Sequence, residues 1–181
     1  EAPLVTGQRA IGKNAVEITL NEDPSDEFMV PGNFSMNAGE NIPLSVKMVK
    51  LLTYRLEFSG QFINRSLNNL VINSLCDKSG NCEVNIQVLF TAVWADPGDV
   101  IISEIMADPY PEVSLPVKEY LELTNRTQNS FNLKNWKLSS DDQNSLFPET
   151  TIQPSAIIII CSSEDTSFFS NYGRVIGLKQ F

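Results

Sequence analysis

The first half of the chain is built from short runs in which apolar and polar residues alternate. The four clearest runs are AVEITL, PLSVKM, TYRLEF and EVNIQVLF. A period of two places every second side chain on the same face and is typical of strands buried on one side. The predicted inward-facing residues of the four runs are Val16, Ile18 and Leu20; Leu44, Val46 and Met48; Tyr54, Leu56 and Phe58; and Val84, Ile86, Val88 and Phe90.

Polar turn sequences separate these runs. NEDPSDE, VPGN, NAGEN and DKSGN are rich in the residue types that favour tight turns. About six or seven short strands within roughly 100 residues, without a strong helical pattern, are typical of a β-sandwich. We therefore predict a first β-sandwich domain over residues 1–96.

The strand pattern restarts after a short joint, ADPGD. DVIISEIM, KEYLELTNR, FNLKNWKLSS and SAIIIICSS each predict a strand. The third is expected to bulge near Asn135 and to place Leu133, Trp136 and Leu138 in the core. The unbroken apolar run of the fourth is typical of a strand covered on both faces. SEDTSFFSNYG predicts a short helix, capped by Ser163 and ended by Gly173.

The composition excludes several classes of function. The chain has 181 residues, a net charge of −9 and no histidine. The acidic balance opposes binding to nucleic acid. Without histidine, Ser-His-Asp and Cys-His catalytic sites and most zinc sites are excluded, whereas a pair of catalytic carboxylates is not. The longest apolar run, AIIII followed by Cys161, is far shorter than the about 20 residues that span a bilayer, so we expect no membrane insertion.

Four pieces of the second half follow one another in order over residues 98–181: SEIMADP, EYLELTNR, NLKNWKLS and FPETTIQP, with the apolar strand after them. Together they resemble the lamin-tail domain, in the form carried by secreted proteins of Bacteroidetes-type bacteria. The resemblance implies an immunoglobulin-like sandwich over residues 98–181. It brings no catalytic residues with it, and therefore implies a scaffold or interaction module.

The first half carries a less specific resemblance. VEITLNEDPSDEFMVPGNFSM and LVINSLCDKSGN, within residues 1–95, are similar to sequences of bacterial immunoglobulin-like domains that precede such modules. The resemblance again implies a sandwich that acts as a spacer or adhesion domain. The predicted fold is therefore all-β, with two immunoglobulin-like sandwiches in tandem.

The end of the chain departs from the family pattern. Lamin-tail domains normally continue with at least two more strands after the helix, whereas this sequence ends at Phe181. We expect a second domain that is truncated at its C-terminus, with an open sheet edge. Completion of that edge by another chain, which would make the protein a dimer, is the alternative.

Acidic residues cluster where the first strand of the second domain ends. Glu104, Asp108 and Glu112 are four residues apart, beside two prolines. We interpret them as a strand that runs into a solvated loop, in which Asp108 bonds backbone amides. Glu104 and Asp108 are weak candidates for calcium ligands, because the regular aspartate spacing of a calcium loop is absent. Residues 21–27 (NEDPSDE) are interpreted likewise as a polar turn, with calcium as the alternative.

The three cysteines differ in their predicted roles. Cys76 and Cys82 flank the turn DKSGN, so the two side chains are expected to face each other across a hairpin. A disulfide follows if the protein is exported; two free thiols are the alternative. Cys161 ends the apolar strand and is expected to be a buried free thiol.

Two tryptophans and three asparagines are further candidates for ligand sites. Trp94 and Trp136 are candidates for carbohydrate stacking, but we expect Trp94, which precedes the joint, to pack between the domains and Trp136 to lie in the core. Asn33, Asn64 and Asn125 each begin an Asn-x-Ser/Thr triplet and are interpreted as turn residues, not as glycan acceptors.

The function expected from these features is non-enzymatic. We predict a structural or interaction module of a secreted, periplasmic or surface-exposed bacterial protein, used for adhesion or scaffolding, with an unidentified protein or glycan partner. The alternative is a polysaccharide-binding accessory module of a surface hydrolase. It predicts retention on insoluble glycans that is lost when a solvent-facing tryptophan is replaced by alanine.

Overall fold

A computed structural model shows that the chain is an all-β protein. The structure describes residues 1–37, 41–110, 114–140, 143–179 and 181, without the side chain of Gln143. The polypeptide divides into two compact units, Glu1–Trp94 and Ala95–Phe181. Within the described ranges, no helix is both long enough and apolar enough to cross a membrane.

The first unit is an immunoglobulin-like sandwich. Its described strands are β1 (Val5–Ile11), β2 (Ala15–Leu20), β3 (Phe34–Met36), β4 (Pro43–Lys50), β5 (Thr53–Phe58), β6 (Leu67–Cys76) and β7 (Cys82–Thr91). One antiparallel sheet has the order β1-β2-β5-β4 and the other the order β3-β6-β7. This is the strand arrangement of constant-type immunoglobulin domains. Two short 3-10 helices, Asp26–Met29 and Pro31–Asn33, lie between β2 and β3.

Aromatic side chains join the inner faces of the two sheets. Phe28 contacts Phe34 of β3 and Tyr54 of β5 edge to face, with ring centroids 5.2 and 5.0 Å apart. Phe62 makes the same kind of contact with Phe58 of β5 and with a phenylalanine of β7. Edge-to-face pairs of this kind contribute about 0.5–1.5 kcal/mol beyond the area they bury. They tie together strands that are not neighbours in either sheet.

The predicted inward faces of β2 and β5 are confirmed, since all six of their apolar residues named above are buried. The prediction for β4 is wrong at two of three positions. Val46 is buried, but Leu44 and Met48 are exposed. The register of β4 against β5 shifts between Pro43 and Ser45 and again between Met48 and Lys50. The first irregularity interrupts the alternation at Leu44. The register is continuous from Ser45 to Met48, and Met48 is exposed on the outermost strand of its sheet.

The prediction for β7 is confirmed except at Val84. Val88 and Phe90 are buried and Ile86 packs against the core, whereas Val84 is exposed. The register against β6 is continuous, so Val84 lies on the same face as Ile86 and Val88. Val84 lies close to the hairpin that joins β6 and β7, where the core no longer covers the strand.

The second unit is built on a mixed sheet. Its described strands are β8 (Val100–Met106), β9 (Tyr120–Asn125), β10 (Phe131–Asn132), β11 (Lys137–Ser140), β12 (Gln143–Leu146), β13 (Thr151–Ile152), β14 (Ile157–Ser162) and β15 (Arg174–Leu178). The four-stranded sheet has the order β15-β14-β9-β8, and β10 pairs with β13 and β11 with β12. β14 and β15 are parallel, and the helix α1 (Thr166–Phe169) lies in the connection between them.

The apolar strand β14 is covered on both faces, as predicted. Ile158 and Ile160 belong to one core cluster, together with residues of β9, β10 and β13. Ile159 and Cys161 belong to a second cluster, in which Phe169 of α1 also lies. All four of these β14 side chains are buried. Because neither face of this strand meets water, its sequence does not alternate between polar and apolar residues.

The run FNLKNWKLSS forms two strands instead of the single bulged strand that the sequence predicts. Asn135 has a positive φ of 65°, and the backbone N–H of Trp136 donates to the carbonyl of Leu133 over 2.8 Å. The chain turns at this point and changes partner, from β13 to β12. Leu133 is buried, while Trp136 and Leu138 pack against the core with part of their surface exposed.

The predicted helix is also shorter than residues 163–173. α1 spans four residues, Thr166–Phe169, and is preceded by Asp165, whose side chain makes no capping bond. Ser163 is not the cap, because its backbone N–H donates to Leu178 of β15 over 2.9 Å. The residue at 163 is therefore held by the sheet before the helix begins, and Gly173 lies beyond the helix end.

Gly177 of β15 provides the clearance for this connection. A Cβ atom at this position would lie 2.7 Å from the Cα of Ser163 and 2.7 Å from the Cγ2 of Thr166. We expect Gly177→Ala to lower the free energy of unfolding of the second unit by about 1–3 kcal/mol, because backbone must move to admit the methyl group. Urea unfolding measures the change.

Gly32 is the control for that variant. A Cβ atom there would meet nothing within 4 Å. Gly32→Ala should change the free energy of unfolding by less than about 0.5 kcal/mol. Equal stabilities for Gly177→Ala and the unmodified chain would contradict the close approach.

Candidate functional site

The acidic residues at the end of β8 do not form one site in the described structure. Glu104 lies in β8 and accepts a hydrogen bond from the Tyr120 hydroxyl over 2.5 Å. Asp108 accepts the backbone N–H of Tyr110 over 3.1 Å, in the turn that the sequence predicts before Pro109. Glu112 lies outside the described residues. Glu104 and Asp108 therefore serve different local contacts.

A pair of glutamates faces Tyr120 on one side of the mixed sheet. Glu104 lies directly opposite Glu122 in the β8–β9 register, so two like charges are cross-strand neighbours. Tyr120 is buried against Phe169 with its ring centroid 5.2 Å away. Burial, and after it the hydrogen bond to Glu104, raises the pKa of Tyr120 to about 12. The phenol therefore stays protonated and donates to Glu104 at neutral pH.

The second acidic segment, residues 21–27, is a polar turn held by the first unit. Asn21 accepts the backbone N–H of Leu4 through its side-chain oxygen over 2.7 Å. Asp23 forms an exposed ion pair with Lys78 at 3.6 Å. Phe28, which follows the segment, is buried in the core. Across the described residues, no group of three or more Asp, Glu, Cys or His side chains is placed to hold a metal.

Calcium binding stays a prediction that thermal unfolding can test. We expect the same unfolding temperature in EDTA and in millimolar calcium, because Glu104 already accepts a bond from Tyr120 and Asp108 is used in its own turn. An ion that binds the native state alone would raise the temperature. A rise of several degrees that Glu104→Gln abolishes, with Glu83→Gln as the exposed control, would contradict this expectation.

A buried ion-pair cluster in the first unit was not anticipated from the sequence. Glu17 of β2 is 4% exposed and lies between Arg9 of β1 and Arg55 of β5. Arg9 donates to one carboxylate oxygen through Nε and Nη2, at 2.9 and 2.7 Å. Arg55 donates to the other through the same two nitrogens, at 3.1 and 2.6 Å. Both oxygens of the carboxylate are thus occupied by guanidinium groups.

The surroundings of Glu17 favour its charged form. The hydrogen bonds from Arg55 lower the pKa of Glu17 most; burial opposes them, and Arg9 lowers the pKa further. The signal in the sequence was weak, because Arg9 and Arg55 are 8 and 38 residues away from Glu17. A charged residue at the middle of an alternating run is ordinarily a solvated position.

The pH dependence of stability tests this cluster. Because the folded pKa of Glu17 is below its ordinary 4.5, the bridge contributes fully above that pH and is lost as the pH falls through the lowered value. We expect Glu17→Gln to cost about 1–3 kcal/mol at pH 7, since Arg9 is largely exposed and part of its charge is screened. The difference from the unmodified chain should shrink below pH 4.5.

Glu57→Gln is the matched control, on the same face of the same sheet. Glu57 accepts a 3.3 Å hydrogen bond from Ser45. The Glu57→Gln variant should change the free energy of unfolding by less than about 0.5 kcal/mol. Denaturant unfolding at several pH values distinguishes the two variants. A constant difference for Glu17→Gln from pH 7 to pH 3 would contradict the assignment.

The hairpin between β6 and β7 carries the cysteine pair. Cys76 and Cys82 lie directly opposite each other in the register and are joined by a disulfide in the structure. Asp77 organises the turn, because one of its oxygens accepts the backbone N–H groups of Ser79 and Asn81. The side-chain amide of Asn81 donates to the other oxygen. This bond and the two backbone bonds lower the pKa of Asp77.

The remaining candidate residues serve the structure. Cys161 is a buried free thiol, and burial raises its pKa. Trp94 packs against the core of the first unit, with the Lys13 ammonium 5.5 Å from its ring centroid. Trp136 packs against the core of the second unit. Neither tryptophan is among the strongly exposed apolar residues.

The three asparagines of the Asn-x-Ser/Thr triplets all bond the backbone, although Asn125 is the last residue of β9 and not part of a turn. Asn33 donates to the carbonyl of Ser74, and Asn64 donates to that of Trp94. Asn125 is buried and donates to two carbonyls, at 2.7 and 2.8 Å. In each case the side-chain nitrogen that would carry a glycan is already engaged.

The Lamin Tail Domain family model matches residues 95–179 of the chain. The N-terminal part of the bacterial S-layer protein SbsC is similar, with 14% identity, a TM-score of 0.48, and coverage of 86% of this chain and 33% of that one. Domains 1–6 of surface layer protein SbsC are similar too, with 12% identity and a TM-score of 0.47. That match covers 88% of this chain and 32% of the other. The chain spans about a third of these structures. No curated protein sequence matches it.

Proposed function

We propose that this chain is a non-enzymatic structural module of a secreted or surface-exposed protein, and that it acts as a scaffold or adhesion segment. The observation that carries the proposal is that the least exposed ionisable groups are bound to other side chains of the sheets. Glu17 is enclosed by two arginines, and the Tyr120 hydroxyl is bound to Glu104. A catalytic acid or base needs a free position beside its substrate. These groups instead bind neighbouring strands to one another.

The match of residues 95–179 to the lamin tail domain supports the same role. The sandwich framework of the first unit also suits it, because rigid sheets hold turns and edges in fixed positions for contact with partners. Fold alone does not determine function, so the proposal rests on the contacts of the ionisable groups together with the family match.

The cysteine hairpin supports a location outside the reducing cytosol. Disulfides persist in oxidising compartments and are rare where glutathione keeps thiols reduced. Cys76 and Cys82 are close in the chain and lie opposite each other in a hairpin, so oxidation closes a short loop. The acidic net charge of −9 favours a soluble module in such an environment.

Labelling of intact source cells tests the location and the redox state together. A membrane-impermeant amine reagent should modify the chain on intact cells, or the chain should be found in the medium. Alkylation of the denatured chain without a reductant should modify one thiol, that of Cys161. A chain that the amine reagent reaches only after lysis, with three alkylated thiols, would overturn the proposed location.

Polysaccharide binding is the second candidate function. The observation that favours it is the exposure of aromatic rings in the second unit: Tyr110 is 71% exposed, and Phe168 and Tyr172 are also exposed. Exposed rings can stack on sugar faces. The structure directs this test to tyrosine, because Trp94 and Trp136 pack against the cores.

Retention on insoluble glycans distinguishes the two candidates. For a purely structural module we expect the chain to pass through cellulose, chitin and peptidoglycan columns unretarded. Retention that Tyr110→Ala abolishes, while Leu146→Ala at an exposed non-aromatic position preserves it, would favour the accessory module. Circular dichroism of both variants would show whether the fold is preserved.

A further inference from the structure

The edge strand of the four-stranded sheet in the first unit is rich in exposed apolar side chains. β4 is hydrogen-bonded to β5 on one side and is the last strand of the sheet. Leu44 is 70% exposed and Met48 is 56% exposed. Free backbone groups beside exposed apolar side chains are what a further strand needs in order to pair. Lys47 lies between the two apolar residues.

A row of charges crosses this sheet and ends at the β4 edge. In the strand registers, Arg9 is opposite Glu17, Glu17 is opposite Arg55, and Arg55 is opposite Lys47. The first three side chains alternate in sign, with one carboxylate between two guanidinium groups. The last cross-strand pair, Arg55 and Lys47, consists of two cations, and like charges directly opposite each other are destabilising. The row therefore presents an excess positive charge at the edge.

The second unit has an edge of the opposite sign. β8 is hydrogen-bonded to β9 and is the last strand of the mixed sheet. Ile102 is 46% exposed and Ile105 is 65% exposed. Between them lies Glu104, which is directly opposite Glu122. This row ends in two like negative charges, so the edge presents an excess negative charge.

We propose that the β4 edge of one copy of this chain pairs with the β8 edge of a second copy, so that Lys47 lies beside Glu104. The pairing places a cation next to the unfavourable glutamate pair and an anion next to the unfavourable Arg55–Lys47 pair. The strands have eight and seven residues, and both carry exposed apolar side chains on either side of the charge.

The charges also select between the ways in which two copies can meet. β4 against β4 brings lysines together, and β8 against β8 brings glutamates together, so identical edges repel. The contact is therefore heterologous, with different surfaces on the two copies, and each bound copy leaves one edge free for the next. The inference deepens the proposed structural role by naming a second copy of the chain as the partner.

Sedimentation velocity of the unmodified chain, over a roughly hundredfold range of concentration, tests the pairing. We expect reversible association that grows with concentration and weakens with added salt. Lys47→Glu and Glu104→Lys should each reduce the association constant at least about tenfold, because each places like charges across the contact. An equimolar mixture of the two variants should associate again, since each variant supplies the charge that the other needs.

Matched controls separate the edges from net charge and from misfolding. Lys137→Glu and Glu83→Lys make the same charge changes at exposed positions on other strands and should leave the association constant unchanged. Glu104→Gln removes the charge while keeping an acceptor for Tyr120, and should weaken association without lowering the unfolding temperature.

A chain that is monomeric at every concentration would overturn the inference, and so would a mixture of the two variants that fails to associate. Association that is equally strong in Lys47→Glu and in the unmodified chain would overturn it as well. None of these results depends on the labelling of intact cells, so the failure of the pairing and the failure of the proposed location remain distinguishable.

Discussion

The first unit depends on the contact between the inner faces of its two sheets. Phe28 and Phe62 stand between the sheets and touch aromatic rings on both of them. Once these faces are buried, every strand has one side that must be apolar and one that is free to vary. The outer faces and the edges are then the positions at which charged side chains can vary without disturbing the core.

The inner faces are also the part of the fold that the sequence predicts best. The alternation in AVEITL and TYRLEF identifies the buried residues of β2 and β5 because both strands are regular and central. The same reasoning fails at Leu44 of β4, where the register shifts, and at Asn135, where a left-handed residue splits a predicted strand. Bulges and positive φ angles depend on neighbouring strands, and a single run does not reveal them.

The ionisable contacts were harder to predict than the strands. Glu104 and Asp108 are close in the sequence, which suggests a shared site, yet each takes part in a separate local contact. The sequence does not reveal the cluster around Glu17, because its partners come from β1 and β5. Only the strand registers bring the three side chains together. The cysteine hairpin was accessible to sequence reasoning because both cysteines flank one short turn. Local pairs can be anticipated, whereas cross-strand pairs require the topology.

The rows of charges connect the stability of the sheets to their capacity for assembly. In the centre of a sheet, a carboxylate between two guanidinium groups has hydrogen-bond donors for both of its oxygens, as Glu17 does. Among the described strands β4 and β8 are outermost in their sheets, so Lys47 and Glu104 each leave a charge of one sign at an edge. An exposed charge protects an edge against indiscriminate pairing. When two edges carry opposite charges, these charges also select the partner. Identical edges repel each other, whereas the complementary pair can form an extended sheet.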